Sequence, residues 1–395
     1  MLQVGPDTTP GRLLVVSQPD ASPQICIASS IRDIGRQAWN ACFHQEVEDY
    51  DYLLAVEEAG MAGFDWRYIV LFEHGRIVAA MPMFLSDYRL ETTVDVSSSR
   101  RIAKFVRRYF PGFLVLKLAC LGSPCTEAGV AGFHRDVPDV RRPALLALLL
   151  AGFERFADSQ GCSLRASKDF PRTQGEALRR VFSAAGFAPT PALPTAWLDV
   201  DFTSVDEYLQ RLSPGTRKDM RRKLKSERHV RVELRTDLAD LMCRVMTLYT
   251  DTRDRSEWQF ETLTEGYFDG VLANMQGRSL CFLYYAGETL LAANLLVHSR
   301  DTLIDKFFCM DAAQGRRYNL YFLSWFNNIR YCLEHGIGRY QSGQAYYENK
   351  LRLGSRLTGN TMYYKHRNVV AQWLLRLLAP LLSMDDEVEE RGRES

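Results

Sequence analysis

Leu280-Cys-Phe-Leu-Tyr-Tyr-Ala286, the turn pair Gly287-Glu288, Leu290-Leu-Ala-Ala-Asn-Leu-Leu-Val-His298, the pair Arg300-Asp301 and Leu303-Ile-Asp-Lys-Phe-Phe-Cys-Met310 form the stretch that decides the fold. Three apolar and aromatic runs separated by short polar turns predict a three-stranded antiparallel meander. Tyr318 to His335 then carries helical spacing up to Gly336, and Arg339 to Ser342 is a short strand, so the chain crosses back to the sheet. Gly338 to Gly354 follows, packing polar and aromatic side chains between glycines at a strand's carboxyl end, where α/β folds collect ligand-binding groups. A strand at Thr361 to His366 and a helix at Val369 to Leu382 close the half.

Working upstream, helices are predicted at Thr264 to Met275 and Leu238 to Arg253, a strand at Val230 to Leu234, and a strongly basic helix from Ser213-Pro-Gly-Thr216 to about Arg228. Val205 to Leu212 is a further helix and Trp197 to Val200 a strand. The Pro-rich run Ala188 to Pro194 marks the domain boundary. Before it come helices at Ile31 to Phe43 and Tyr50 to Ala59, then a hairpin of Trp66 to Phe72 and Arg76 to Leu85 across Glu73-His-Gly75. Next are a strand at Phe113 to Leu121, a helix opened by Pro143 and running through Phe156, a strand at Ser163 to Ser167, and a helix at Gln174 to Ala185 stopped by Gly186. The first half thus repeats the second loosely, and a duplicated α/β fold is the economical reading. The expected division is a tail at 1–28, domains at 29–190 and 195–384, and an acidic tail at 385–395.

At 395 residues the chain is long enough for two domains. The 49 basic and 48 acidic residues leave a net charge of +1, which excludes a global field for nucleic acid. The nine cysteines are scattered and free of CxxC pairs, which argues for a reducing compartment and against a zinc site or a structural disulfide. No apolar run reaches the length of a membrane span, and the N-terminus lacks the pattern of a signal peptide. The expectation is a soluble cytoplasmic chain, or one peripheral on the inner face of the cytoplasmic membrane.

The order of helices, meander, helix, strand, helix and strand resembles the acyltransferase fold of the GNAT superfamily. Particular residues narrow this to its FemAB-like branch, proteins often labelled peptidoglycan biosynthesis or CelD-like acyltransferases. They are Leu212-Ser-Pro-Gly-Thr-Arg217 with the basic helix, Tyr249 with Thr252-Arg-Asp-Arg255, Tyr340-Gln-Ser-Gly343-Gln-Ala with Glu348, Lys350 and Gly354, and His366. Weaker matches are Trp39, the Tyr52 to Gly60 helix, Leu121-Gly-Ser-Pro124 and Lys168-Asp-Phe-Pro171. The resemblance runs from about residue 30 to 380. Family members often carry Gly and His before the lysine, where this chain has Tyr346-Tyr347-Glu348-Asn349. The implied architecture is two tandem GNAT-like domains with mixed, mostly antiparallel sheets flanked by helices.

The resemblance implies transfer of an acyl or aminoacyl group to an amine. That reaction needs a neutral amine, donors for a tetrahedral oxyanion and a proton for the leaving group, and none of these requires a metal. Glu348 can accept the ammonium proton and Lys350 can stabilise the oxyanion or a phosphate; alternatively they are a surface pair of little consequence. Asp305, beside Lys306 on a strand, is a second candidate base or amine anchor, or else half of a buried ion pair. His366 is a third.

Donor binding points to Gln314-Gly315-Arg316-Arg317-Tyr318-Asn319, where GNAT proteins hold a coenzyme A pyrophosphate, although the usual glycine pattern is broken here. Arg217, Arg253, Arg255, Gln344, Tyr346 and Tyr347 are the substrate-binding candidates. Acyl-CoA or an acyl carrier protein is the expected co-substrate, with no permanently bound cofactor. The amine acceptor is a lipid, for example a sphingoid base, or another envelope amine. Residues Arg101 to Leu118 and the Trp373-Leu-Leu-Arg-Leu-Leu378 helix mix basic and apolar side chains as membrane-surface segments do. An aminoacyl-tRNA donor is the alternative, disfavoured by the small net charge, and a non-catalytic binding protein is a third reading. No DNA partner is implied.

Overall fold

The computed structural model describes residues 14–16, 23–89, 115–255 and 261–382. In chain order the elements are β1 (Leu14–Val16), β2 (Gln24–Ala28), α1 (Arg36–Cys42), α2 (Tyr50–Glu58), β3 (Asp65–Glu73), β4 (Arg76–Arg89), β5 (Val115–Leu121) and β6 (Gly132–Phe133). There follow α3 (Arg142–Ser159), β7 (Leu164–Pro171), α4 (Glu176–Ala184), β8 (Ala188–Asp199), α5 (Val205–Arg211), α6 (Pro214–Leu224) and β9 (Arg231–Arg235). The remainder is α7 (Met242–Arg253), α8 (Glu265–Asn274), β10 (Ser279–Ala286), β11 (Thr289–His298), β12 (Thr302–Met310), α9 (Ala312–Arg317), α10 (Leu320–His335), β13 (Arg339–Gly343), α11 (Tyr347–Arg352), β14 (Arg356–His366) and α12 (Val369–Leu382).

The chain divides into two compact units. The first holds residues up to His44, Gly63–Pro191 and Thr361–Ser383; the second holds Gln45–Ala62, Ala192–Asn360 and the C-terminal residues. In the first unit β1 to β5 pair in succession as antiparallel neighbours, and β7 adds in parallel to β5, with Leu118 opposite Leu164 and Leu121 opposite Ser167. Helix α3 covers this sheet, burying Leu145, Leu149, Phe153 and Phe156 against Ile25, Ile69, Met81 and Leu121. Its close approach depends on Gly152, where a Cβ would lie 2.7 Å from the Ile25 side chain.

The second unit repeats the order. β9, β10, β11 and β12 are antiparallel neighbours, α10 crosses over, and β13 joins parallel to β12 before pairing antiparallel with β8. The predicted meander is present. Helix α10 ends at Gly336 in the left-handed conformation, as its sequence implies. It buries Trp325, Phe326, Ile329 and Cys332 against Leu280, Leu296 and Tyr340.

Several elements differ from expectation. Ile31 to Phe43 is broken at Gly35 (φ 83°) into a short 3₁₀ turn and α1. The Pro-rich run Ala188 to Pro194 is the first part of β8. The polar stretch after β13 contains the helix α11. The segment Arg101 to Leu118 lies for the most part outside the described residues.

Helix α2, which the order of the sequence assigns to the first half, clusters with the second unit. Arg278 explains this placement, since its guanidinium donates to both carboxylate oxygens of Asp49 (2.9 and 3.1 Å) and to Asp51 (2.8 Å). Tyr52 and Tyr267 add a buried hydroxyl pair at 2.9 Å. Replacing Arg278 with Ala leaves two mostly buried carboxylates without their shared cation. The expected loss is about 3 kcal/mol of stability in urea unfolding at pH 7, and a loss within error would show the clamp to be dispensable.

Candidate active site

In the second unit β12 and β13 run side by side over a short stretch only. Their parallel ladder covers three pairs, Thr302 with Arg339, Leu303 with Tyr340 and Ile304 with Gln341. On the other edge of β12, Leu295 faces Phe307 and the next pair is Leu296 with Asp305, so Lys306 is the extra residue of a β-bulge. A bulge bends its strand and breaks the alternation of side chains. It falls immediately after the last parallel pair, and there the ladder between the two strands ends.

The bulge places two charged side chains on different partners. Asp305 Oδ2 accepts from the Tyr340 hydroxyl (3.0 Å) and from Asn328 Nδ2 (3.1 Å). Asn328 also donates to the Tyr340 oxygen at 3.0 Å and accepts from Asn294 Nδ2 at 3.3 Å. Asn294, Asn328 and Tyr340 are buried, and burial pushes the Tyr340 phenol well above its ordinary value, with the Asp305 charge adding to it. Lys306 is 3% exposed and forms an ion pair with Glu48, with its ammonium 4.9 Å from the Tyr52 ring centroid.

Next to Glu48 in sequence space stands Glu46. Burial raises its pKa to about 7, the like charge of Glu48 raises it further, and Arg339 opposes. By surface area the residue is nevertheless exposed, so the crowding acts on a carboxyl that water reaches freely. A carboxyl that is both crowded and reachable by water is suited to proton transfer near neutrality.

The segment from Gly338 to Gly354 has a more structural character than its composition suggests. Gln344 Nε2 donates to the Leu193 carbonyl (3.1 Å) and the Tyr347 hydroxyl to that of Pro194 (2.7 Å), which brace the Pro-rich strand β8. Asn360 reinforces it, donating to Leu193 O and to Thr195 Oγ1, each at 2.9 Å. Lys350 is 5% exposed and donates to the Gln344 carbonyl at 3.0 Å, whereas Glu348 is exposed. Two residues apart on α11, they point about 200° away from each other. Ala345 and Tyr346 are left-handed, with φ of 63° and 52°, and Tyr346 is 74% exposed.

The remaining candidates are dispersed. His366 belongs to the first unit, where its Nδ1 accepts from the Asn368 amide (3.0 Å) at the start of α12. Arg255 donates to the carbonyls of Asp251 (2.7 Å) and Met310 (3.0 Å), tying the end of α7 to the end of β12. Arg253 pairs with Asp254 and lies 5.8 Å from the Tyr249 ring.

In the donor segment, Asp311 caps α9. Its carboxylate accepts from the Gln314 amide (2.8 Å) and its carbonyl from the Gly315 amide (2.8 Å), so both amides are engaged within the helix. Gly315 is buried against Met310, and Arg316 and Arg317 are exposed, the latter 5.6 Å from the Tyr318 ring. Asn319, left-handed at the head of α10, donates to Ser226 Oγ at 2.9 Å. That contact sets the start of α10 beside the basic element. Within that element Asp219 holds Arg222, Lys223 and Arg352, Lys223 sits 3.4 Å over the Phe322 ring, and Lys218, Arg221, Lys225 and Arg228 are exposed while Arg217 is half-buried. Among the described residues no group of three or more His, Cys, Asp or Glu is placed to hold a metal.

Two units of antiparallel meander, crossover helix and parallel strand define a tandem GNAT-type fold. The chain belongs to the FemAB-like family of peptidoglycan biosynthesis and recognition, whose model matches residues 30–377. It is an enzyme of the acyltransferase class. Solved structures of similar fold include FemX, 14% identical with a TM-score of 0.51 over 80% of this chain and 91% of that one. L-PGS from Bacillus licheniformis is 12% identical with a TM-score of 0.51 over 84% and 93%. A C-terminal domain from Agrobacterium fabrum, described as that of a lysylphosphatidylglycerol synthetase, is 14% identical with a TM-score of 0.51 over 89% and 97%. The search of curated proteins gives no match.

Glu46, Glu48 and Asn328 escape a reading of the sequence alone. Asn328 leaves a trace, as a polar residue on the apolar stripe of α10; Glu46 leaves none beyond the acidic run before α2.

Two expectations follow. Tyr346→Gly relieves a left-handed backbone and raises stability by about 1 kcal/mol in urea unfolding; if Tyr346 lines the substrate path, turnover falls at the same time. For Glu46, the folded pKa of about 7 lies above the ordinary carboxyl value of 4.5. The folded state therefore holds the proton more tightly, and this stabilisation is full below about pH 4.5 and lost as pH rises through about 7. Glu46→Gln should match wild type in melting temperature at low pH and exceed it at pH 8, and equal melting at both would refute the shift.

Proposed function

We propose that the chain is an N-acyltransferase that moves an acyl group from a thioester, acyl-CoA or acyl carrier protein, to an amine. The acceptor is a lipid amine, such as a long-chain sphingoid-type base, or another cell-envelope amine. The observation that supports this reading is the end of the β12–β13 ladder at the Lys306 bulge. Where two parallel strands part, their facing backbone groups lack strand partners, and the amide-bearing arm of a thioester donor is a peptide-like chain suited to such an edge.

In this reading each neighbouring group has a role. The phosphates of the donor lie toward the start of α10, where the helix dipole, Arg316, Arg317 and the exposed bases of α6 favour anions. Asp305, held by Tyr340 and Asn328, fixes the bulge from one side. Glu46 is the general base, taking a proton from the acceptor ammonium directly or through water. The neutral amine then attacks the thioester carbonyl, the tetrahedral oxyanion collapses and the C–S bond breaks, and the proton shed by the attacking nitrogen passes, directly or through water, to the leaving thiolate as the amide is released. Glu348 and Tyr346 face the acceptor along the exposed side of their segment, while Lys350 keeps that segment in place.

The exposed basic face of α6 favours one second reading, an aminoacyl-tRNA-dependent transferase of the FemX type, with the same attack on an ester carbonyl. Purified protein incubated with an acyl-CoA panel and amine acceptors separates the two by thiol release. Release that needs both substrates and survives ribonuclease supports the thioester reading; a product formed only with charged tRNA overturns it. The rate at subsaturating substrate should climb with pH through about 7 as Glu46 loses its proton. Glu46→Gln should lower that rate by about 10² or more without lowering the melting temperature.

A further inference from the structure

We propose that Arg339 and Gln341 hold an anionic group of the acceptor, which is therefore an amine bearing a phosphate or a carboxylate. The inference rests on the acyl-transfer reading and narrows its acceptor. Gln341 forms the last pair of the β12–β13 ladder, with Ile304, and on its other edge the register with β8 shifts directly after it. It is 4% exposed, yet its carboxamide makes no hydrogen bond to any described residue. A buried amide with its N–H donors and its oxygen unused is an exception in folded proteins and marks a place that a ligand can complete. Its polar atoms are not sealed off, as the partnerless Ser342 hydroxyl beside it is.

Strand alternation puts Gln341 and Arg339 on one face of β13, opposite to that on which Tyr340 meets Asn328 and Asp305. Trp197, paired with Gln341 across the β8 ladder, lies on the same face, and the Arg339 guanidinium stands 4.2 Å from the centre of its ring. Arg339 is exposed and in no ion pair among the described residues. Of the surrounding acids, Asp199 is held by Arg356 and Glu48 by Lys306. Asp301 accepts from the Arg339 amide through its carbonyl, and Glu46 is near enough for the Arg339 charge to act on it. Two residues along a strand span about 7 Å, a distance over which a guanidinium fork and an amide N–H converge on one oxyanion. The proposed base thus shares its surroundings with an unpaired cation and an unpaired amide donor. An amine carrying a phosphate or carboxylate satisfies all three, with its anion on Arg339 and Gln341 and its ammonium toward Glu46.

Binding is measured without a donor, so its outcome is separate from that of the acyl-transfer reading, which falls if no acyl-CoA releases thiol. Full-length protein is titrated calorimetrically with O-phosphoethanolamine, β-alanine and ethanolamine. One or both of the anionic amines should bind about tenfold or more tighter than ethanolamine, and the tighter of the two identifies the anion. Gln341→Leu and Arg339→Met should each reduce that preference about tenfold. Gln341→Leu should melt at or above the wild-type temperature, because an apolar side chain replaces an amide that has no partner. Equal affinity for the three amines, binding of none, or a preference that survives both substitutions overturns the proposal. So does a Gln341→Leu variant that melts lower, which would make the amide a structural group.

Discussion

Three backbone pairs join β12 to β13, and the bulge at Lys306 ends them. The candidate site depends on this constraint. Beyond these pairs the facing backbone groups of β12 have no partner in the β13 ladder. The bulge in turn needs fixing, because an extra residue in a strand adds freedom that the surroundings must remove. Asp305 is held on one side by Tyr340 and Asn328, and Lys306 on the other by Glu48 and the Tyr52 ring. Burying these groups is favourable only because each is paired.

This explains why residues 45–62 belong with the second unit although they precede most of the first. They carry the acids that the second unit requires: Glu48 for Lys306, and Asp49 and Asp51 for Arg278. A lysine 3% exposed without Glu48 would meet a desolvation penalty of several kcal/mol and tend to lose its proton. Glu46 is then carried to its position by the same segment. Its raised pKa follows from two causes on one short stretch, burial and the neighbouring Glu48 charge.

The meander, the crossover helix and its stop at Gly336 were legible because each rests on local signals: turn pairs, apolar periodicity and a glycine with φ of 66°. Helix α12 was legible for the same reason. The strand at Ala188–Pro194 was not. Proline suggests a linker, and here the strand is held by side-chain donors, Gln344, Tyr347 and Asn360, far along the sequence. The polar segment after β13 drew attention by composition, and much of that polarity serves this bracing. Glu46 was hidden for a different reason, since its character comes from neighbours that only folding supplies, and the spacing from Glu46 to Arg339 exceeds any local pattern.

The duplication raises the question of why the second unit carries the titratable cluster. The first unit has an equivalent parallel pair, β5 with β7, but the chain itself fills the space beyond it. Lys168 donates to the carbonyls of Pro124 and Thr126, and the Gly129 amide donates to Asp169 at 3.1 Å. A Cβ on Gly129 would lie 1.9 Å from the Lys168 carbonyl oxygen, so backbone is packed on backbone there. A parallel pair sealed by its own loop is a structural element, with its lysine satisfied by carbonyls. A parallel pair that ends at a bulge, near a carboxyl with a pKa of about 7, is suited to moving a proton on the proposed mechanism. On the proposed mechanism the same order of strands and helices serves packing in one unit and chemistry in the other, according to what lies beyond the parallel pair.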